Sequence, residues 1–136
     1  MVDFCGPTDM ELLAKDNPAL IRKGGPVYKL LGGTVEEKPA VARSASPVTY
    51  VGKDAKNLPA FLIMHGTADK LVPLSQAERL HEVLKKAGAD STLVKVTDGP
   101  HVFNNPEVLK RVRTFLDRHL LGKEVTVSAE AIPFKR

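Results

Sequence analysis

The feature that most constrains this chain is an unbroken apolar run, Ala60-Phe61-Leu62-Ile63-Met64, that stops abruptly at His65-Gly66. A run of that length ending in a turn signal reads as a strand buried on both faces, as in a parallel sheet. The loop beyond it, Thr67-Ala68-Asp69-Lys70-Leu71-Val72-Pro73, carries an acid. In open α/β sheets, ligands bind and catalytic side chains stand outside the carboxyl ends of the strands. A second stretch has the same form: Thr92-Leu93-Val94-Lys95-Val96, then Thr97-Asp98-Gly99-Pro100-His101. Two strand ends thus offer one carboxylate, Asp69, and one imidazole, His101.

The rest of the chain fits that frame. Met1-Val2-Asp3-Phe4-Cys5 reads as a strand punctuated by Gly6-Pro7. With no basic lead-in and no apolar core before it, this start is not a signal peptide. A strand with almost no approach suggests a missing upstream part. Thr8-Asp9-Met10-Glu11 fits a capping box, with Thr8 as cap, for a helix running to about Lys15. Residues 16–58 are rich in breakers and admit only short helices, near Pro26–Leu31 and Pro39–Arg43. Ser75-Gln76-Ala77-Glu78 is a second capping box. Its helix carries Ala77, Leu80, Leu84 and Ala87 on one stripe and ends at Gly88. His81, beside that stripe, reads as a partly buried surface histidine. The last helix begins with Asn105 as cap and Pro106 at its first position. It presents Val108, Leu109, Val112, Phe115, Leu116 and Leu120, and stops at Gly122. His119 in its final turn reads as a partner of the helix C-terminus. The tail 123–136 offers a short strand at Val125–Val127 and is otherwise expected to be mobile.

Strand, excursion, strand, helix, strand, helix is the order of an α/β fold with parallel strands. The expected organisation is a partial domain over 1–122, with a helical excursion at about 9–58 and a tail over 123–136. Composition narrows the function. No apolar run approaches the ~20 residues that span a bilayer. The +4 charge is modest and the basic residues are dispersed among acids, which disfavours a nucleic-acid partner. The single cysteine, Cys5, excludes an intrachain disulfide and a cysteine-rich metal site, and reads as a small apolar residue at a strand end. His65, His101 and Asp69 lack the spacing of a metal set, so no metal and no cofactor is expected.

An imidazole and a carboxylate at neighbouring strand ends can form the base and orienter of a hydrolytic triad. The motif His65-Gly66-Thr67-Ala68-Asp69-Lys70-Leu71-Val72-Pro73, the helix Ser75–Gly88 and Gly99-Pro100-His101-Val102-Phe103 resemble the C-terminal half of an α/β-hydrolase. The likeness is to the esterase/lipase branch with its dienelactone hydrolase-like and feruloyl-esterase-like enzymes, and more distantly to prolyl-oligopeptidase-type peptidases. Val2–Asp9, Leu30–Gly33 and Ala45–Val51 extend it over about residues 2–121. The resemblance implies that Asp69 is the triad acid and His101 the triad histidine. It also implies a serine in a G-x-S-x-G elbow upstream. No such motif occurs here, and Ser44, Ser46, Ser75, Ser91 and Ser128 stand in other contexts. The expectation is a catalytically silent fragment of a serine hydrolase whose intact parent acts on small-molecule carboxylic esters. The alternatives are a fragment of a peptidase and a non-catalytic interaction module. A sheet edge left without its neighbour also implies self-association or binding of the missing N-terminal half.

Overall fold

A computed structural model describes residues 1–52 and 57–135; residues 53–56, within the expected excursion, lie outside the described residues. Four parallel strands form one sheet in the order β1-β2-β3-β4: β1 is Val2–Phe4, β2 Phe61–Gly66, β3 Ser91–Thr97 and β4 Ile132–Pro133. Asp3 stands opposite Ile63, and His65 opposite Lys95. All six residues of β2 are buried, as the uninterrupted apolar run requires.

The two long helices cover opposite faces. Leu62, Met64, Val94 and Val96 meet Val108 and Phe115 of α6, Pro106–Leu121, on one side. Phe61 and Ile63 meet Ala77, Leu80 and Leu84 of α5, Ser75–Lys86, on the other. Burial of each such large side chain contributes about 1.5–3 kcal/mol. The face of α6 is narrower than its apolar sequence suggests: Leu109 and Leu120 are 61% and 74% exposed. Asn105 caps α6 by accepting from the Glu107 N–H, and Gly122 ends it at φ +64°.

The excursion holds α1 (Met10–Asp16), α2 (Pro18–Ile21), α3 (Pro26–Leu31), α4 (Pro39–Ser44) and a 3₁₀ turn at Pro47–Tyr50. Met10, Leu13, Val27, Leu31, Val35 and Ala42 give it a small core of its own. Gln76, fully buried, ties it to α5: its Oε1 accepts from the N–H groups of Thr8 and Asp9, both at 2.9 Å.

Several local expectations are corrected. Asp9, not Thr8, caps α1 through the Leu12 N–H; Thr8 Oγ1 instead donates to the Gln76 carbonyl at 2.6 Å. Ser75 does not cap α5, which begins after Leu74, because its hydroxyl donates to Asp16 Oδ2. The tail has no strand at Val125–Val127. It pairs later, at Ile132–Pro133, where Ile132 is buried and the Phe134 N–H donates to the Thr97 carbonyl. Arg111 anchors the approach through the Ser128 carbonyl. His119 does stand in the last turn of α6, with its ring 4.5 Å from that of Phe115 and its Nε2 3.7 Å from Asp90. No described helix is long and apolar enough to cross a membrane.

Candidate active site

The carboxyl ends of β2 and β3 carry Asp69 and His101 on two short loops that are bonded to each other. The Thr67 N–H donates to the Val96 carbonyl, the Ala68 N–H to the Gly99 carbonyl, and the Asp98 N–H to Thr67 Oγ1. Asp98 turns the second loop at φ +58°, in the left-handed region that Asp tolerates better than most residues. Gly66 permits the close approach: a Cβ there would overlap the carbonyl oxygens of Gly99 and Pro100.

This arrangement brings the two expected residues together. His101 Nδ1 lies 2.8 Å from Asp69 Oδ2. Because the carboxylate accepts, Nδ1 carries the proton and Nε2 is left as the basic nitrogen. The His101 side chain is 35% exposed whereas that of Asp69 has no exposed area. Asp69 Oδ1 accepts from the N–H groups of Leu71, at 2.8 Å, and Val72, at 3.0 Å. Burial by itself would raise the Asp69 carboxyl, but the hydrogen bonds from His101, Leu71 and Val72 outweigh it and hold the group below the usual range.

Two residues that the sequence did not assign to the acid also meet it. His65, fully buried, places Nε2 2.8 Å from the Val72 carbonyl and 3.3 Å from Asp69 Oδ2. Cys5, buried just past β1 at φ +51°, brings its sulfur into the same cluster. Burial pushes the Cys5 thiol up to about 11; the Gly66 N–H offsets part of this, and the Asp69 charge adds to it. Cys5, His65 and Asp69 offer ligand atoms within 4.8 Å of one another, a grouping of donor types that can hold a metal. The Asp69 oxygens and His65 Nε2 are already within hydrogen-bonding reach of protein groups, which accounts for their closeness in the cluster. The one signal for His65 in the sequence is its spacing of four residues from Asp69 across a turn.

None of the five serines is hydrogen-bonded to His101. Ser44 and Ser46 donate to the Val41 and Ala42 carbonyls, Ser75 to Asp16, and Ser128 accepts from the Glu130 N–H. Ser91 does meet an imidazole, His81 Nδ1 at 2.9 Å, but it begins β3, at the end of the strand opposite His101. His81 is half-buried, in keeping with its expected place on the α5 surface.

A parallel sheet covered by helices, with an acid and an imidazole at adjacent strand ends, is the architecture of an α/β-hydrolase of the esterase type. The BD-FAE family profile matches residues 1–84, more than half of the sequence, and the chain belongs to that family. Among solved structures it resembles a chain described as a truncated form of a carbohydrate esterase from gut microbiota. The TM-score there is 0.59 at 33% identity, over 74% of this chain and 34% of that one. It also resembles a bifunctional GH43-CE protein of Bacteroides eggerthii, with a TM-score of 0.69 at 27% identity, over 87% of this chain and 16% of that one. Esterase LipQ of Mycobacterium tuberculosis is 30% identical over 69 residues, which are half of this chain and 16% of that protein. The non-reducing polyketide synthase trt4 of Aspergillus terreus is 42% identical over 60 residues, 44% of this chain and 2% of that protein. The chain therefore spans about a third or less of these relatives.

Proposed function

We propose that this chain supplies the acid and the general base of a serine-hydrolase site for small-molecule carboxylic esters. In this reading it is the C-terminal part of a longer enzyme, and the nucleophilic serine and the oxyanion hole come from polypeptide outside this sequence. The observation that carries the proposal is the 2.8 Å hydrogen bond from His101 Nδ1 to the fully covered Asp69 carboxylate. Esterases among the relatives support esters over peptides as substrates.

The chemistry follows from the tautomer. Asp69 fixes the proton on Nδ1, so His101 Nε2 can take the proton of a serine hydroxyl as its oxygen attacks the ester carbonyl. The imidazolium formed is stabilised by the Asp69 charge and passes its proton to the departing alcohol. A water deprotonated by the same nitrogen then cleaves the acyl-enzyme, releasing the acid.

The test compares two forms. The isolated chain is expected to show no serine labelling by a fluorophosphonate probe and no turnover of an unactivated alkyl ester. The same chain joined to a polypeptide bearing a G-x-S-x-G elbow should gain both reactions, with turnover lost on His101→Ala. Labelling of a serine in the isolated chain refutes the assignment of roles. So does a joined form whose turnover survives His101→Ala.

A further inference from the structure

Asp69 Oδ2 is approached from two sides. His101 Nδ1 stands on the partly exposed side at 2.8 Å, and His65 Nε2 on the buried side at 3.3 Å. The Val72 carbonyl, 2.8 Å from the same His65 nitrogen, can only accept. Nε2 of His65 must therefore carry a proton, and that N–H points at an edge shared by Val72 and Asp69. The Val72 N–H in turn donates to Asp69 Oδ1 at 3.0 Å. His65, Val72 and Asp69 close a small ring of hydrogen bonds whose rigid member is β2, where His65 is wholly buried.

We propose that His65 is a positioning residue for the site, its Nε2–H fixing the rotation of the Asp69 carboxylate that faces His101. The inference rests on the assignment of Asp69 and His101 as acid and base, and adds a third member that touches no substrate. Without it, Oδ1 still has two backbone donors from the loop, but the carboxylate keeps only the weak thiol donor of Cys5 as a side-chain neighbour from the sheet. The carboxylate can then swing about its Cβ–Cγ bond, and the Nδ1 proton of His101 loses its fixed acceptor. A catalytic base depends on that acceptor to stay in one tautomer. The ring nitrogen His65 Nδ1 and the carboxylate oxygen Asp3 Oδ2 are both buried without a protein partner, so the far side of the imidazole adds no described constraint. The grip on His65 comes from Val72 and Asp69.

The test reads ring tautomers in the full chain by long-range ¹H–¹⁵N correlation, at a pH where the imidazoles are neutral. In the wild type and in His65→Gln, whose amide keeps a donor at a similar reach, His101 is expected as a single Nδ1–H tautomer. In His65→Leu, with folding verified by amide dispersion, that single tautomer should be lost, as it should be in Asp69→Asn. A merely structural histidine would lower stability in His65→Leu yet leave the tautomer of His101 unchanged, and that result overturns the proposal. Loss of the tautomer in His65→Gln as well as in His65→Leu also overturns it, since the donor would not be what matters. If His65→Leu does not fold, the wild-type spectrum of His65 decides: a proton on Nε2 supports the proposal and a bare Nε2 rejects it. Failure of the underlying site is distinct, because then His101 in the wild type would show mixed tautomers indifferent to Asp69→Asn.

Discussion

Asp69 and His101 meet at 2.8 Å across two loops, with the carboxylate wholly covered and the imidazole partly open to solvent. A covered carboxylate held by donors below its usual range has a consequence for stability. The unfolded chain titrates an aspartate near ~3.9. Since the folded value lies below that, the contribution is fully present above about pH 4 and disappears as the pH falls through the folded value. Asp69→Asn should lower stability by about 1–3 kcal/mol near neutral pH. Urea midpoints measured from pH 7 down to pH 2 should show the gap between wild type and variant narrowing below about pH 4. A gap that stays constant to pH 2 contradicts the ionised acid.

The Gly66 position allows no side chain. Gly66→Ala would drive a Cβ into the Gly99 and Pro100 carbonyls, which belong to the loop carrying His101. Backbone cannot yield there as a flexible side chain would, so a cost of about 1–3 kcal/mol or more is expected. Thermal unfolding measures the cost, and the His101 tautomer spectrum should report a separated pair. Wild-type stability in this variant would show that the two loops are less tightly joined than described.

Cys5 should be chemically quiet. Its thiol is buried and titrates at about 11, so little thiolate exists at pH 8. Iodoacetamide is expected to leave the native chain essentially unmodified and to alkylate it readily in urea, as mass spectrometry would record. Rapid native labelling would place Cys5 in a more open environment than the one described.

The outer edge of β1 has no neighbouring strand among the described residues, and Met1 and Phe4 beside it are 63% and 48% exposed. Unpaired edges with apolar side chains favour association. We therefore expect the isolated chain to self-associate, or to bind a polypeptide that completes the sheet. Sedimentation at increasing concentration checks this, and a compact monomer that binds no hydrophobic dye speaks against it.

The readable part of the molecule was the part in which one chemical constraint dominates. The Ala60–Met64 run could only be a strand covered on both faces, and Asn105-Pro106 with Gly122 bounded a helix because each residue type does one thing well there. That Asp69 and His101 would converge was legible because both follow strands directly, where position in sequence sets position in space. The misassigned caps involve side chains with two plausible partners. Thr8 and Ser75 had the residue type of caps but found Gln76 and Asp16 across the fold, at separations of 68 and 59 residues. His65 was hidden for a related reason: within an apolar strand it marks the turn, and only the folded loop shows that Asp69 curls back to it. The tail strand was placed early because Val125–Val127 has the stronger strand composition, whereas the register of Ile132 depends on where Arg111 and Asn105 hold the returning chain.

Asn17, in the turn between α1 and α2, donates to the carbonyls of Lys70 and Leu71, the two residues that follow Asp69. The lobe with its own small core is thereby fastened to the loop that carries the acid. Changes of sequence in the lobe are not free to accumulate independently of the loop, since a shift of Asn17 is transmitted to the backbone donors of the carboxylate. Recombination that exchanges this lobe between relatives should preserve the site only when lobe and loop travel as one inherited block.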